Sequence, residues 1–112
     1  MFDSFKNLAN LPGMLSKARE LQEKMKQMQA EAGNKQVSGD SGGGMVSAIV
    51  NGRLELVKLR IDKTRVDVND TEMLEDLIVA AVNAAQVKAA EMMRGEMQRI
   101  AQEIGVPPGI LG

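Results

Sequence analysis

The stretch EMLEDLIVAAVNAAQVK, Glu72 to Lys88, opens a helical pattern with no stop signal before Gly105 in a chain of 112 residues. At ~1.5 Å rise per residue, such a helix reaches roughly 50 Å, longer than a domain of this size is wide. One small chain cannot cover all its flanks, so a partner is expected. Upstream, Asn69 reads as the cap, with Glu72 as its acidic partner three residues on and Val68 stapled against Met73. Asp70, Glu72, Glu75 and Asp76 place negative charge at the positive end of the helix dipole, which accounts for these acids without a metal. Leu74, Leu77, Ile78, Ala81, Ala84 and Ala85 form one face, small toward its centre, that another backbone can approach closely. Farther on, Met93, Met97, Ile100 and Ile104 repeat at spacings of 4, 3 and 4. Gly95 interrupts at a cost of ~1 kcal/mol relative to Ala, and Gly105, Pro107 and Pro108 end the element.

A matching seam lies near the N-terminus. Pro12 suits a first helical turn with Asn10 as cap, and Met14, Ala18, Leu21, Met25, Met28 and Ala32 follow at spacings of 4, 3, 4, 3 and 4 until Gly33 and Asn34. The two seams are expected to pair as an antiparallel coiled-coil arm. Lys17 and Lys24 flank one edge of the first seam, Arg19 and Lys26 lie on the other side, and Glu20 and Glu23 sit among them. Glu20 and Lys24 have the spacing of a solvated i, i+4 pair; the sharper alternative is a phosphate-contacting edge.

Between the helices the period changes. Val37 lies in a short polar strand, Gly42, Gly43 and Gly44 turn the chain, and MVSAIV, Met45 to Val50, reads as a strand apolar on both faces. Asn51 and Gly52 predict a two-residue type I′ turn. In the return strand Leu54 and Leu56 share one phase and Val57, Leu59 and Ile61 the other, which predicts a bulge near Leu56 and Val57. The triple glycine lacks the Gly-Lys-Ser/Thr and following helix of a phosphate loop, so a plain turn is expected.

These elements give an α+β chain of order α-β-β-β-α. The expected segments are a flexible N-terminus at 1–11, a helix at 12–33, a three-stranded antiparallel meander at 35–62, a long helix at 69–104 and a tail at 105–112.

Composition excludes much chemistry. The chain has no His and no Cys, which removes the commonest general base, thiolate zinc sites and cysteine nucleophiles, and neither Ser16 nor Ser47 has a recognisable base beside it. No enzyme activity, cofactor, metal or small-molecule substrate is expected. No apolar run spans a membrane or forms a signal peptide, so a cytoplasmic protein is expected. With two Phe as the only aromatics, the core must be aliphatic, and nine Met suggest adaptable packing surfaces. The net charge of −1 hides an uneven distribution. Six bases face four acids in residues 1–36, five face five in 37–70, and three face six in 71–112.

Together, MLSKARELQEKMKQMQAEA, SGGGMV, VNGRLELVKLRID, EMLEDLIVAAVNAAQVKAAE and GVPPGIL, in this order over nearly the whole chain, resemble the YbaB/EbfC nucleoid-associated proteins. The resemblance implies an intertwined, tweezer-like homodimer that binds duplex DNA with little sequence preference, organises the nucleoid and influences expression, with higher assembly open. On that basis Lys17, Arg19, Lys24, Lys26, Lys88, Arg94 and Arg99 are the expected DNA contacts, since phosphate neutralisation supplies most nonspecific affinity. Leu74, Leu77, Ile78, Ala81, Asn83, Ala84 and Ala85 are the expected dimer core, with Asn83 a buried hydrogen-bonding residue at the subunit contact. The chain has no dense basic patch on either arm, so weak, salt-sensitive binding is expected. Without stacking aromatics, duplex DNA is favoured over single strands. The alternative is a protein-interaction scaffold whose Met-lined arms grip a partner helix.

Overall fold

The structure, a computed structural model, describes residues 11–106. Helix α1 (Leu11–Glu31) ends in a 3₁₀ turn (Ala32–Asn34), followed by strands β1 (Gln36–Ser41), β2 (Val46–Asn51) and β3 (Leu56–Ile61) and by helix α2 (Thr71–Ile104). The strands form one antiparallel sheet in the order β1-β2-β3, the expected topology. The Asn10 cap, the Pro107 and Pro108 stop, and most of the N-terminal and tail segments lie outside the described residues. The chain divides into two compact units, Gln29–Arg94 and Met1–Met28 with Gly95–Gly112.

In the unit from Gln29 to Arg94, strand alternation builds the core. Val46, Ala48 and Val50 project from one face of β2 and are fully buried against Ala81, Ala85 and Ala89 of α2, spaced i, i+4, i+8. The alanines let helix and sheet backbones come close. A Cβ on Gly39 of β1 would stand 2.3 Å from the Ala85 amide nitrogen, so only glycine fits there. Ser41 Oγ ties the same strand to the helix by donating to the Leu77 carbonyl at 2.6 Å.

This contact occupies part of the small face of α2. The backbone that approaches Ala85 is β1 of the same chain, and Ala81 and Ala85 are both 0% exposed. Leu74, Leu77 and Ile78 pack half-buried around the same core, and Ala84 is also half-buried. Asn83, on the other side of the helix, is exposed.

The β2–β3 connection differs from a two-residue turn. The Asn51 amide donates to the Glu55 carbonyl at 3.0 Å and the Leu54 amide to the Asn51 carbonyl at 3.0 Å, enclosing a three-residue loop. Leu54 takes the left-handed position, φ 64°, usual at the end of such a loop. Asn51, only 7% exposed, organises it: Oδ1 accepts from the amides of Arg53 (2.9 Å) and Glu55 (3.1 Å), and Nδ2 donates to Glu55 Oε1 (3.0 Å). Gly52 is needed for space rather than for positive φ, since a Cβ there would lie 2.8 Å from the Ala32 carbonyl oxygen. The pairing then jumps from Val50↔Leu56 to Ile49↔Lys58, which places the bulge at Val57.

At the start of α2 the cap is Asp70, not Asn69: its Oδ1 accepts from the Met73 amide at 3.2 Å. The Asn69 amide is instead held by Asp67 Oδ1 at 3.0 Å, in a turn that delays the helix to Thr71. Val68 and Met73 are both exposed, so they form no staple. In the loop before it, Asp62 Oδ1 accepts from the Thr64 hydroxyl (2.6 Å) and amide (3.1 Å). Those bonds, with Arg65 nearby, lower the Asp62 pKa from its ordinary value.

In the other unit, Met28 of α1 is buried, as are Ile100, Ala101 and Ile104 of α2. Helix α2 closes in a Schellman motif: the Val106 amide donates to the Ala101 carbonyl (2.8 Å) and the Gly105 amide to Gln102 (3.2 Å), with Gly105 at φ 87°. The Lys17 ammonium stands 3.5 Å from where a Gly105 Cβ would be, so the start of α1 lies beside the end of α2 and the pair is antiparallel.

Candidate nucleic-acid interface

The seven expected DNA contacts fall into two groups by what the fold does with them. Lys17 reaches the C-terminus of α2, where the dipole is negative and carbonyls attract a cation. Lys88 Nζ donates to the Ser38 carbonyl at 3.1 Å, beside the edge of the sheet. Arg99 is gripped along its own helix by Glu96 at 2.7 Å and Glu103 at 2.8 Å. The hydrogen bond to Glu96 foremost, then the charges of Glu96 and Glu103, raise its pKa above the ordinary guanidinium value. A guanidinium with two carboxylates offers a phosphate little net attraction. Arg19, Lys24, Lys26 and Arg94 are exposed and make no hydrogen bond or ion pair among the described residues. Glu20 and Lys24, at pairing distance in sequence, do not pair.

Other bases lie outside that set. Residues 53–65 contain Arg53, Lys58, Arg60, Lys63 and Arg65 against only Glu55 and Asp62. Arg53 donates to the Gln29 carbonyl at 3.3 Å, and Arg65 to the carbonyls of Gly42 (3.2 Å) and Gly43 (2.8 Å), so both brace turns. All three glycines of that turn have positive φ, the plain hairpin turn expected of them. Lys58 and Arg60 stand exposed on β3. The alternation in LVKLRI, with Leu59 and Ile61 inward, is the sequence signal that reveals them.

The N-terminal end of α2 is the wrong end for DNA. A surface cavity of about 410 Å³ is lined there by Asp70, Glu72, Met73, Asp76 and Leu77, and its three acids repel phosphate. No cluster of metal-ligating side chains occurs among the described residues. No helix among them is long and apolar enough to cross a membrane.

A helix, a three-stranded meander and a long capped helix, with unpaired bases spread along the helices, are the frame that comparison with known proteins identifies. The model of the YbaB/EbfC DNA-binding family matches residues 6–104. The chain belongs to that family. Nucleoid-associated protein BRADO0764 of Bradyrhizobium sp. (strain ORS 278) is 40% identical over 102 residues, 91% of this chain and 96% of that protein. Nucleoid-associated protein TTE0040 of Caldanaerobacter subterraneus subsp. tengcongensis is 49% identical over 53 residues, 47% of this chain and 48% of that protein, so this match spans about half of each. Among solved structures, the uncharacterized protein HP0035 of Helicobacter pylori is similar at 28% identity and a TM-score of 0.56, covering 76% of this chain and 90% of that one. As a YbaB/EbfC member the chain is a non-enzymatic, DNA-binding protein.

Proposed function

We propose that this YbaB/EbfC chain acts as a homodimer that binds duplex DNA nonspecifically in the nucleoid. The family match across residues 6–104 carries the DNA reading, and the names of its relatives carry the nucleoid. The bases best placed to serve are Arg19, Lys24, Lys26 and Arg94, because no carboxylate neutralises them. Lys88 and Arg99 contribute less, each already having a partner on its own chain, and Lys17, though it has no hydrogen bond or ion pair among the described residues, stands at the C-terminal end of α2.

Dimerisation is supported by apolar surface that one chain leaves uncovered. Val79 and Val87 of α2 are each 58% exposed, with Asn83 midway between them on the same helical stripe. Leu54 and Leu56 are also exposed, and Gln86 Nε2 reaches the Leu54 carbonyl at 3.5 Å, placing that loop beside the helix. A second copy covering this stripe would bury the two valines at ~1.5–3 kcal/mol each and give Asn83 a hydrogen-bonding role at the subunit contact. Ala81 and Ala85 then hold the helix on its own sheet.

The test is a mobility-shift titration with unrelated duplexes at several salt concentrations. Similar affinities that fall steeply with salt are expected, and absence of any shift at low salt would sink the DNA reading.

A further inference from the structure

We propose that the sheet face turned away from α2 is a second duplex-DNA contact, made through Lys58 and Arg60 of β3. The proposal rests on the DNA-binding reading above and adds a surface to it. The register fixes which face these bases occupy. Lys58 pairs with Ile49 and Arg60 with Ser47, while Val46, Ala48 and Val50, the intervening residues of β2, face α2. Side chains of directly paired residues share a face, so both bases point away from the helix, about 6.8 Å apart along one strand.

Their surroundings suit phosphate. Neither base makes a hydrogen bond or ion pair among the described residues, unlike Arg53 and Arg65 on the flanking turns. Strand β3 contains no acid, whereas the free bases of α1 are interleaved with Glu20 and Glu23. The acids on the same face are Asp40 of β1, paired with Ser47, which in turn pairs with Arg60, and Asp62, two residues beyond Arg60, whose carboxylate is engaged by Thr64 and Arg65. Two strand spacings, about 9.6 Å between backbones, separate Asp40 from Arg60, and the two form no ion pair among the described residues. The face carries no aromatic residue, so backbone contact is favoured over base stacking. Backbones of β3 are held by the ladder to β2, so the two charges are presented on a fixed base, with only side-chain entropy lost on binding. The ordinary role of charges on an edge strand is to prevent sheets from pairing edge to edge. That role needs no response to DNA, and the two are separable by experiment.

The test compares wild type, K58Q/R60Q and K58R/R60K in fluorescence-anisotropy titrations with a labelled duplex from 50 to 300 mM salt, with sedimentation and thermal melting of each. The expected result for K58Q/R60Q is weaker binding, with a log–log salt slope flatter by about 1.8 per protomer, two contacts at ~0.9 each. Melting and sedimentation should match wild type, and K58R/R60K should keep the wild-type slope. A wild-type slope in K58Q/R60Q overturns the sheet contact and leaves the pair as an edge guard. A flatter slope with a changed sedimentation coefficient also overturns it, placing the pair in a subunit contact. Absence of wild-type binding removes the DNA reading itself, and this proposal with it.

Discussion

Gly39 shows how much one missing side chain decides. With the Ala85 nitrogen 2.3 Å from where its Cβ would stand and the Ala84 carbonyl carbon at 2.8 Å, the obstacle is helix backbone, which cannot rotate away. Gly39→Ala should therefore cost about 3 kcal/mol or more, at or beyond the upper end for overpacking, read as a lowered urea midpoint. Asn51→Ala removes the acceptor of two loop amides in a nearly buried position; a loss of about 1–3 kcal/mol is expected by the same measurement. Asp62 gives a pH dependence. Its folded pKa is lowered chiefly by the Thr64 hydroxyl, so its contribution is fully present above the unfolded carboxylate value of about 3.9 and disappears as pH falls through the folded value. The stability advantage of wild type over Asp62→Asn should thus vanish in urea melts taken from pH 6 down to pH 2. An advantage that persists unchanged at the acid end would assign it to packing instead.

Among elements, α2 is the one whose behaviour its sequence describes most fully. It is helical through Gly95, where an added Cβ would meet nothing within 4 Å. Gly95→Ala should raise stability by about 1 kcal/mol, seen as a higher melting temperature, because the methyl group limits only the unfolded chain. An unchanged or lower melting temperature would mean that the glycine serves a conformation other than the hydrogen-bonded helix. The hairpin shows the opposite case. Asn51-Gly52 is the standard sequence sign of a two-residue turn, yet the glycine is occupied with fitting beneath Ala32, while Leu54 takes the left-handed position. Turn chemistry was legible as a turn; its length was set by a neighbour distant in sequence.

For the whole molecule, the proposed dimer and DNA binding stand or fall together with charge and exposure. Val79→Glu with Val87→Glu should convert the dimer to monomer in sedimentation equilibrium without unfolding the chain, since both side chains are more than half exposed in a single copy. Loss of the second copy halves the number of bases that one assembly presents, so the salt slope of DNA binding should fall to about half. A stable dimer that survives both substitutions would place the subunit contact elsewhere.

Periodicity alone determined the α-β-β-β-α order and the inward and outward phases of β3, because alternation at 2 and at 3.6 residues is a local property of the chain. Family membership was legible for the same reason, in the order of these segments. Only the tertiary structure decided what Ala85 touches, because a small residue invites any close backbone and Gly39 of the same chain fills that place. It also decided which bases are free. Lys88 and Arg99 look like any other cations in the sequence, and the carbonyl and carboxylates that engage them become neighbours only on folding.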